Sequence, residues 1–325
     1  MFVGIKVNGG MITVTNLSDL KGIALTATIG FFDGVHLGHR FLIEQVKQEA
    51  AKQQQASAVI TFRQHPRQVL HSDYQPKLLT GYEEKIALLA ETGIDYCIVL
   101  DFSLEISRLT AQEFIEQMLH DKLSVSTLLI GYDHRFGHNR SEGFEDYVRY
   151  GAAVGMKILQ ALQYDNGHTH VSSSEIRRLL QQGDVATAST LLTYPYHLKG
   201  TVVKGFQIGR KIGFPTANLH IDEPYKIIPA IGIYAAWAVI DHAVYKAMVY
   251  IGNRPTVHDN TEISIEANII DFDRDLYHKE ITILFVDFVR GDAKFDGLDA
   301  LKRQISLDKV AISTILDNSP LPLQA

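Results

Sequence analysis

Residues Ile29 to Val46 read "IGFFDGVHLGHRFLIEQV": an apolar run meets a glycine-rich turn, and a helical pattern follows. His36 and His39 stand at that junction beside Gly30, Gly34 and Gly38. Glycine lets backbone approach a ligand closely. A helix start offers unpaired amides and about half a positive charge, which stabilises phosphate. The H-x-G-H spacing sets two imidazoles on one side of the junction, where they can donate hydrogen bonds to phosphate oxygens as charge develops. A plain strand-to-helix turn with histidines in solvent is the alternative; two histidines three apart at a helix start favour the phosphate reading.

Working outward, apolar and helical runs alternate from residue 24 to about 183. "ALTATIGFF" is followed by "HRFLIEQVKQEAAKQQ" and "SAVITF", and "DYCIVLDF" by "TAQEFIEQMLHDKL". This alternation predicts a mostly parallel sheet faced by helices. Thr110 with Glu113 fits a capping box, and Gly183 is placed to end the last helix. The organised pattern begins only after Met11. After "LLTYPYHLKG" the texture changes to successive short strands, from "GIYAAWAVI" to "KEITILFVDFV", with a final helix from "DGLDALKRQI". That half predicts a small antiparallel barrel or sandwich. The expected domains are residues 1–192 and 193–325, consistent with a length of 325 residues.

A net charge of -6 argues against a nucleic-acid partner, which calls for a basic face. Cys97 is the single cysteine and lies in an apolar run, so the chain holds no internal disulfide and a reducing, cytoplasmic location is expected. No stretch has the length of a membrane span. Small molecules are the expected partners, and nothing in the sequence indicates an oligomeric state.

Two distal segments extend the first module: "GYDHRFGHNRSEG" and "VSSSEIRRLL". The second sets Ser172, Ser173 and Arg177 at another helix start, where hydroxyls and a guanidinium can hold the far end of a triphosphate. In the second half, "KGTVVKGFQIGRKIGFPTANL" carries glycines able to shape a loop over phosphates but no P-loop sequence. Thr216 and Asn218, two apart, share one side of an extended segment, and neutral oxygens suit magnesium. By itself "PTAN" reads more readily as a turn. In "EISIEANIIDF", Ile263, Ile265, Ala267 and Ile269 alternate with Ser264, Glu266 and Asn268. Glu266 is either solvent-facing or directed into a site, and periodicity alone favours solvent.

"GFFDGVHLGH" resembles the H-x-G-H nucleotidyltransferase superfamily, and with "GYDHRFG" and "SSSEIRR" it looks like the adenylyltransferase module of bacterial FAD synthetases. The second half, from "GFPTANL" through "YIGNRPTV" and "IEANIIDF", resembles riboflavin kinase. The resemblance implies a Rossmann-like H-x-G-H domain followed by a small antiparallel β-barrel with a C-terminal helix. It implies that Gly30, Phe31, Asp33, Gly34, His36, Gly38, His39, Asp133, Ser172, Ser173 and Arg177 bind ATP in the first module, with His36 and His39 catalytic. Phe62, His65 and Pro66 would contact flavin there. In the second module Gly205, Gly209, Gly213, Pro215, Thr216 and Asn218 would bind ATP, Thr216 and Asn218 would hold magnesium, Glu266 would be the base and Asp271 a further flavin contact. The chain departs from the family pattern at Gln64, where proline is usual, and at His134, where phenylalanine is usual. The implied activity converts riboflavin and ATP to FMN, then FMN and ATP to FAD and pyrophosphate. A nucleotidyltransferase for another metabolite and a catalytically silent flavin- or nucleotide-binding regulator are the competing readings.

Overall fold

The computed structural model describes residues 5–20, 22–70, 73–132, 134–138, 141–165, 171–205, 209, 212–254 and 262–321. The chain forms two compact units, Met1–Ser173 and Ser174–Ala325.

In the first unit β1 (Ile5–Asn8) and β2 (Met11–Val14) form an antiparallel hairpin. Organised structure therefore begins before Met11, contrary to expectation. The remaining strands are β3 (Leu25–Ile29), β4 (Ala56–Phe62), β5 (Tyr96–Leu100), β6 (Val125–Ile130) and β7 (Lys157–Gln160). Together they give one sheet ordered β1-β2-β5-β4-β3-β6-β7, parallel from β2 onward. Every residue of β3 is buried, as a central strand covered on both faces must be. From β3 the order runs outward through β4 and β5 on one side and through β6 and β7 on the other. Such a reversal opens a crevice beyond the carboxyl ends of the strands, and the Gly30–His39 loop leaves β3 at that point. The helices are α1 (Leu37–Gln53), α2 (Pro66–Leu70), α3 (Tyr82–Ala90), α4 (Leu104–Arg108), α5 (Ala111–Glu113) and α6 (Phe144–Ala153). Thr110 and Glu113 form the expected capping box, with Thr110 N–H donating to Glu113 Oε2 at 2.8 Å. Beyond it α5 widens into a π-helix over Phe114–Lys122, whose Phe114, Ile115, Met118 and Leu119 enter the core with Ile98, Leu128 and Tyr147.

In the second unit α7 (Ser173–Gln181) and α8 (Val185–Leu192) precede β8 (His197–Val203), β9 (Ala217–Ile221), β10 (Gly232–Ile240), β11 (Ala243–Arg254), β12 (Glu262–Ile269) and β13 (Glu280–Arg290). Gly183 follows α7 with φ +86°, as expected of its terminating glycine. The strands pair antiparallel and close a barrel in the order β10-β11-β12-β9-β8-β13, so the barrel, not the sandwich, is the architecture. The final helix, α9 (Leu298–Asp317), sets Ile312 and Leu316 against Trp237, Met248 and Leu284 on its outer face. Asp308, 3 % exposed, holds Arg290 at the end of β13 through its Nε (3.0 Å) and a terminal guanidinium nitrogen (2.6 Å).

The compact units divide at Ser173/Ser174, earlier than the 192/193 boundary expected from texture. The reason is packing: α8 lies on β13, Ala230 N–H donates to Leu180 O at 2.9 Å, and Tyr196 N–H donates to Ser189 Oγ at 3.0 Å.

Candidate functional site

The first cluster is built on the loop leaving β3. His36 is the N-cap of α1, and its Nδ1 accepts the backbone N–H of His39 at 3.3 Å. An imidazole nitrogen that accepts carries no hydrogen, so a hydrogen on the His36 ring is carried by Nε2. The two rings stack with centroids 3.6 Å apart and planes 16° from parallel. Burial first, then the charges of His36, Lys85 and His134, pull the His39 pKa well below 6.5, so its imidazole is neutral near pH 7. Among the described residues His39 Nδ1 is enclosed without a hydrogen-bond partner. The sequence brought these rings together by placing a β-region cap and the third helical residue one turn apart.

Gly38 lies against His36: a side chain there would meet the ring at 3.3 Å and Val171 O at 3.6 Å. Ser173 donates its hydroxyl to Asp33 O at 3.0 Å. Arg177, four residues on, belongs to the second compact unit, and Ser172 is half-buried just before α7. Asp133 lies outside the described residues. Gly30 donates its amide to Ile60 O at 3.0 Å, and Phe31 meets His65 edge-on at 4.8 Å. His65 Nδ1 accepts from Arg67 N–H at 3.2 Å at the start of α2, whose first residue is Pro66. Phe62 packs on Phe102 at 5.5 Å. Gln64 is exposed, and His134 is half-buried 6.2 Å from Phe136.

The second cluster lies on one face of the barrel. Glu266 of β12 is directly opposite Asn218 of β9 and Tyr250 of β11, and opposed residues of paired strands share a face. Thr216 donates its hydroxyl to Glu266 Oε2 at 2.9 Å, and Asn268 Nδ2 donates to Pro215 O at 2.7 Å, pinning the "FPTAN" segment to β12. Ile265, Ala267 and Ile269 are buried while Glu266 is half-buried; Ile263, at the strand start, is 49 % exposed instead of facing inward. Glycines close the cluster. A side chain at Gly205 would meet the Asn218 amide at 2.3 Å, and one at Gly209 would meet Phe214 O at 2.3 Å and Thr216 Oγ1 at 3.4 Å. Gly213 turns the chain before Phe214 with φ +87°. Asp271 lies in the turn after β12, with φ +57°, and pairs with Lys309 of α9 at 3.3 Å.

Both clusters are thus assembled separately, one on a parallel sheet and one on a barrel. A family model described as FAD synthetase matches residues 21–175, and one described as riboflavin kinase matches residues 192–316. The chain is 36% identical, over 92% of its length and 93% of the relative's, to the bifunctional riboflavin kinase/FMN adenylyltransferase of Listeria monocytogenes. It is 34% identical to that of Escherichia coli, over 91% of its own length and 94% of the relative's. The chain belongs to the bifunctional riboflavin kinase/FMN adenylyltransferase family. A solved structure described as a macrolide-efflux protein from Streptococcus pneumoniae has the same fold, with a TM-score of 0.83 and 30% identity across 94% of this chain and 99% of that one. Efflux is said of that protein; among the described residues here no helix is long and apolar enough to cross a membrane.

For this family's first module the sequence reading missed α3, which bears on the site. Asp33 accepts the backbone N–H groups of Leu79 (3.0 Å) and Thr80 (3.1 Å), and Thr80 Oγ1 accepts Gly34 N–H at 3.1 Å. Lys85 of α3 then reaches under the loop to Phe31 O at 3.1 Å and Phe62 O at 2.9 Å. The signal was present: Lys85 falls on the same helical stripe as Ile86 and Leu89, a core position holding a charge.

Proposed function

We propose that this chain phosphorylates riboflavin to FMN with ATP and adenylylates FMN with a second ATP to give FAD and pyrophosphate. The observation that carries the reading is the tandem match of both families along one chain, each over the stretch that forms its own residue cluster. In the first step Glu266 takes the proton of the ribityl terminal hydroxyl as its oxygen attacks the terminal phosphorus of ATP, and ADP leaves. Thr216, donating to Glu266, holds the carboxylate in place for that transfer. A well-placed base contributes about 10²-fold to 10⁴-fold; positioning contributes the greater part in phosphoryl transfer.

Thr216 and Asn218 fit magnesium. Their oxygens are neutral, a carboxylate adjoins them, and a hard cation of this kind takes the rest of its shell from water and substrate phosphates. Among the described residues no group of three or more His, Cys, Asp and Glu could hold a metal unaided, which agrees with a cation that arrives with nucleotide. Magnesium, when bound, neutralises phosphate charge. In the second step the FMN phosphate oxygen attacks the α-phosphorus and pyrophosphate leaves. His36 Nε2–H and His39 donate to the oxygens on which charge builds. Phe62, His65 and Pro66 border the flavin, and Ser172, Ser173, Arg177 and Asp133 are assigned to nucleotide. We assign the catalytic modules to residues 1–192 and 193–325, and a cytoplasmic setting, supported by Cys97, whose thiol is pushed up to about 12 by burial and is inert. Incubating the protein with riboflavin, ATP and magnesium and separating flavins over time tests the reading. FMN should appear first and FAD follow; release of pyrophosphate with CTP or an amino acid, or binding without turnover, contradicts it.

A further inference from the structure

Among the described residues the first module contains one buried lysine that the two reaction steps leave without a role. Lys85 is 2 % exposed. Its Nζ lies 3.1 Å from Phe31 O, 2.9 Å from Phe62 O and 3.3 Å from Thr61 Oγ1, and 4.1 Å from the centre of the Phe31 ring. The Thr61 hydroxyl donates to Phe31 O at 3.1 Å, so its hydrogen is committed and its oxygen can only accept from Lys85. An ammonium has three hydrogens for these three acceptors. A neutral amine has two, and it fits the same acceptors only if Thr61 turns its hydroxyl from Phe31 O to the amine. Phe31 O belongs to the loop that carries His36 and His39, and Phe62 O to the end of β4, from which the loop of His65 departs. Phe31 is also clasped on both sides, by Lys85 over its face and by His65 at its edge.

We propose that Lys85, as an ammonium ion, is a positioning residue for FMN adenylylation: it ties the nucleotide loop to the loop after β4, so that the two reactants are held in one alignment. This rests on the proposed activity and adds to it a group that touches neither reacting atom. Burial brings the Lys85 pKa down to about 8, against the carboxylate of Asp33 in the loop and Cys97 of β5, which favour the charged form; His39 of α1 faces it as a neutral ring. Above that pH the third hydrogen is lost and the tie to Phe31 loosens.

The test uses the full chain with supplied FMN, ATP and magnesium, followed as FAD formed from pH 6.5 to 9.5, with urea unfolding of the same preparation followed by circular dichroism as a control for folding of the first unit. The wild-type kcat should fall about tenfold per pH unit above its alkaline limb, as expected for loss of one required proton. Lys85→Met should lower kcat at pH 7 about 10-fold to 100-fold, more than it raises KM for FMN, because misplacement of about 1 Å suffices for such losses. It should also abolish the alkaline limb, which a merely structural lysine would leave in place. Should Lys85→Met fail to fold, Thr61→Val removes one acceptor of the ammonium and should move the limb down by roughly one pH unit. A Lys85→Met kcat within threefold of wild type, an unchanged limb in that variant, or an unchanged limb in Thr61→Val overturns the proposal. A wild-type protein that makes no FAD overturns the assigned activity instead.

Discussion

His39 and Lys85 are two ionisable groups whose pKa values the fold lowers from their ordinary values, and they act on stability at opposite ends of the pH scale. For His39 the folded pKa lies below the unfolded value near 6.5, so the unfolded chain binds more protons as pH falls and stability is lost below that value. For Lys85 the folded value of about 8 lies below the ordinary 10.5. Between those limits the unfolded chain again binds more protons, so stability rises with pH, by roughly 3 kcal/mol across the window. The first unit should therefore gain stability from pH 8 to 10 while its adenylylation falls, and Lys85→Met should remove that gain. Urea unfolding by circular dichroism reads this, because the single tryptophan, Trp237, sits in β10 of the second unit and its fluorescence marks the other transition. The histidine pair was legible in the sequence because both members fall at a helix start beside glycine, a local pattern. Lys85 showed only as a charge at a core position of a helical stripe; its role was not legible, because its partners are backbone carbonyls of Phe31 in the loop after β3 and Phe62 at the end of β4, 54 and 23 residues away.

Elements were legible where one periodicity held. The apolar runs at β3, β4 and β5 and the alternation in β12 were read correctly in type. The hairpin β1-β2 was missed although Gly9 and Gly10, with φ +53° and +91°, form the two-residue turn of left-handed conformations that joins such strands; only four residues on either side carry the pattern. The π-helix at Phe114–Lys122 was read as ordinary helix, since the change of winding leaves the apolar residues facing the same core. In the barrel the informative device is close approach between elements. Gly205 follows β8, and a side chain there would overlap the Asn218 amide of β9. Gly205→Ala should therefore displace Asn218 and lower riboflavin phosphorylation about 10²-fold, the scale of loss for misplacement of about 1 Å, while conversion of supplied FMN to FAD stays at the wild-type rate. Unchanged phosphorylation by that variant would mean that the position of Asn218 is immaterial to the reaction.

At the scale of the whole molecule, the division of labour follows from where each cluster is anchored. Asn218 and Glu266 belong to strands of a closed barrel with its own core and covering helix, and Thr216 directly precedes one of those strands. His36 and His39 stand at the start of α1, beside a sheet with a separate core. Nothing in the chemistry of either step requires a side chain of the other. Glu266→Ala should then stop FMN formation but leave adenylylation of supplied FMN intact, and the double change His36→Ala and His39→Ala should make FMN accumulate. Mixing the two variants gives the sharper result. The kinase-competent chain makes FMN, releases it, and the adenylylation-competent chain takes it up, so riboflavin is converted to FAD by the mixture after a lag in which free FMN rises. If the mixture makes FMN and no FAD, although each variant retains its own half-reaction, FMN reaches its second site only within the chain that made it, and the two modules work as one catalyst.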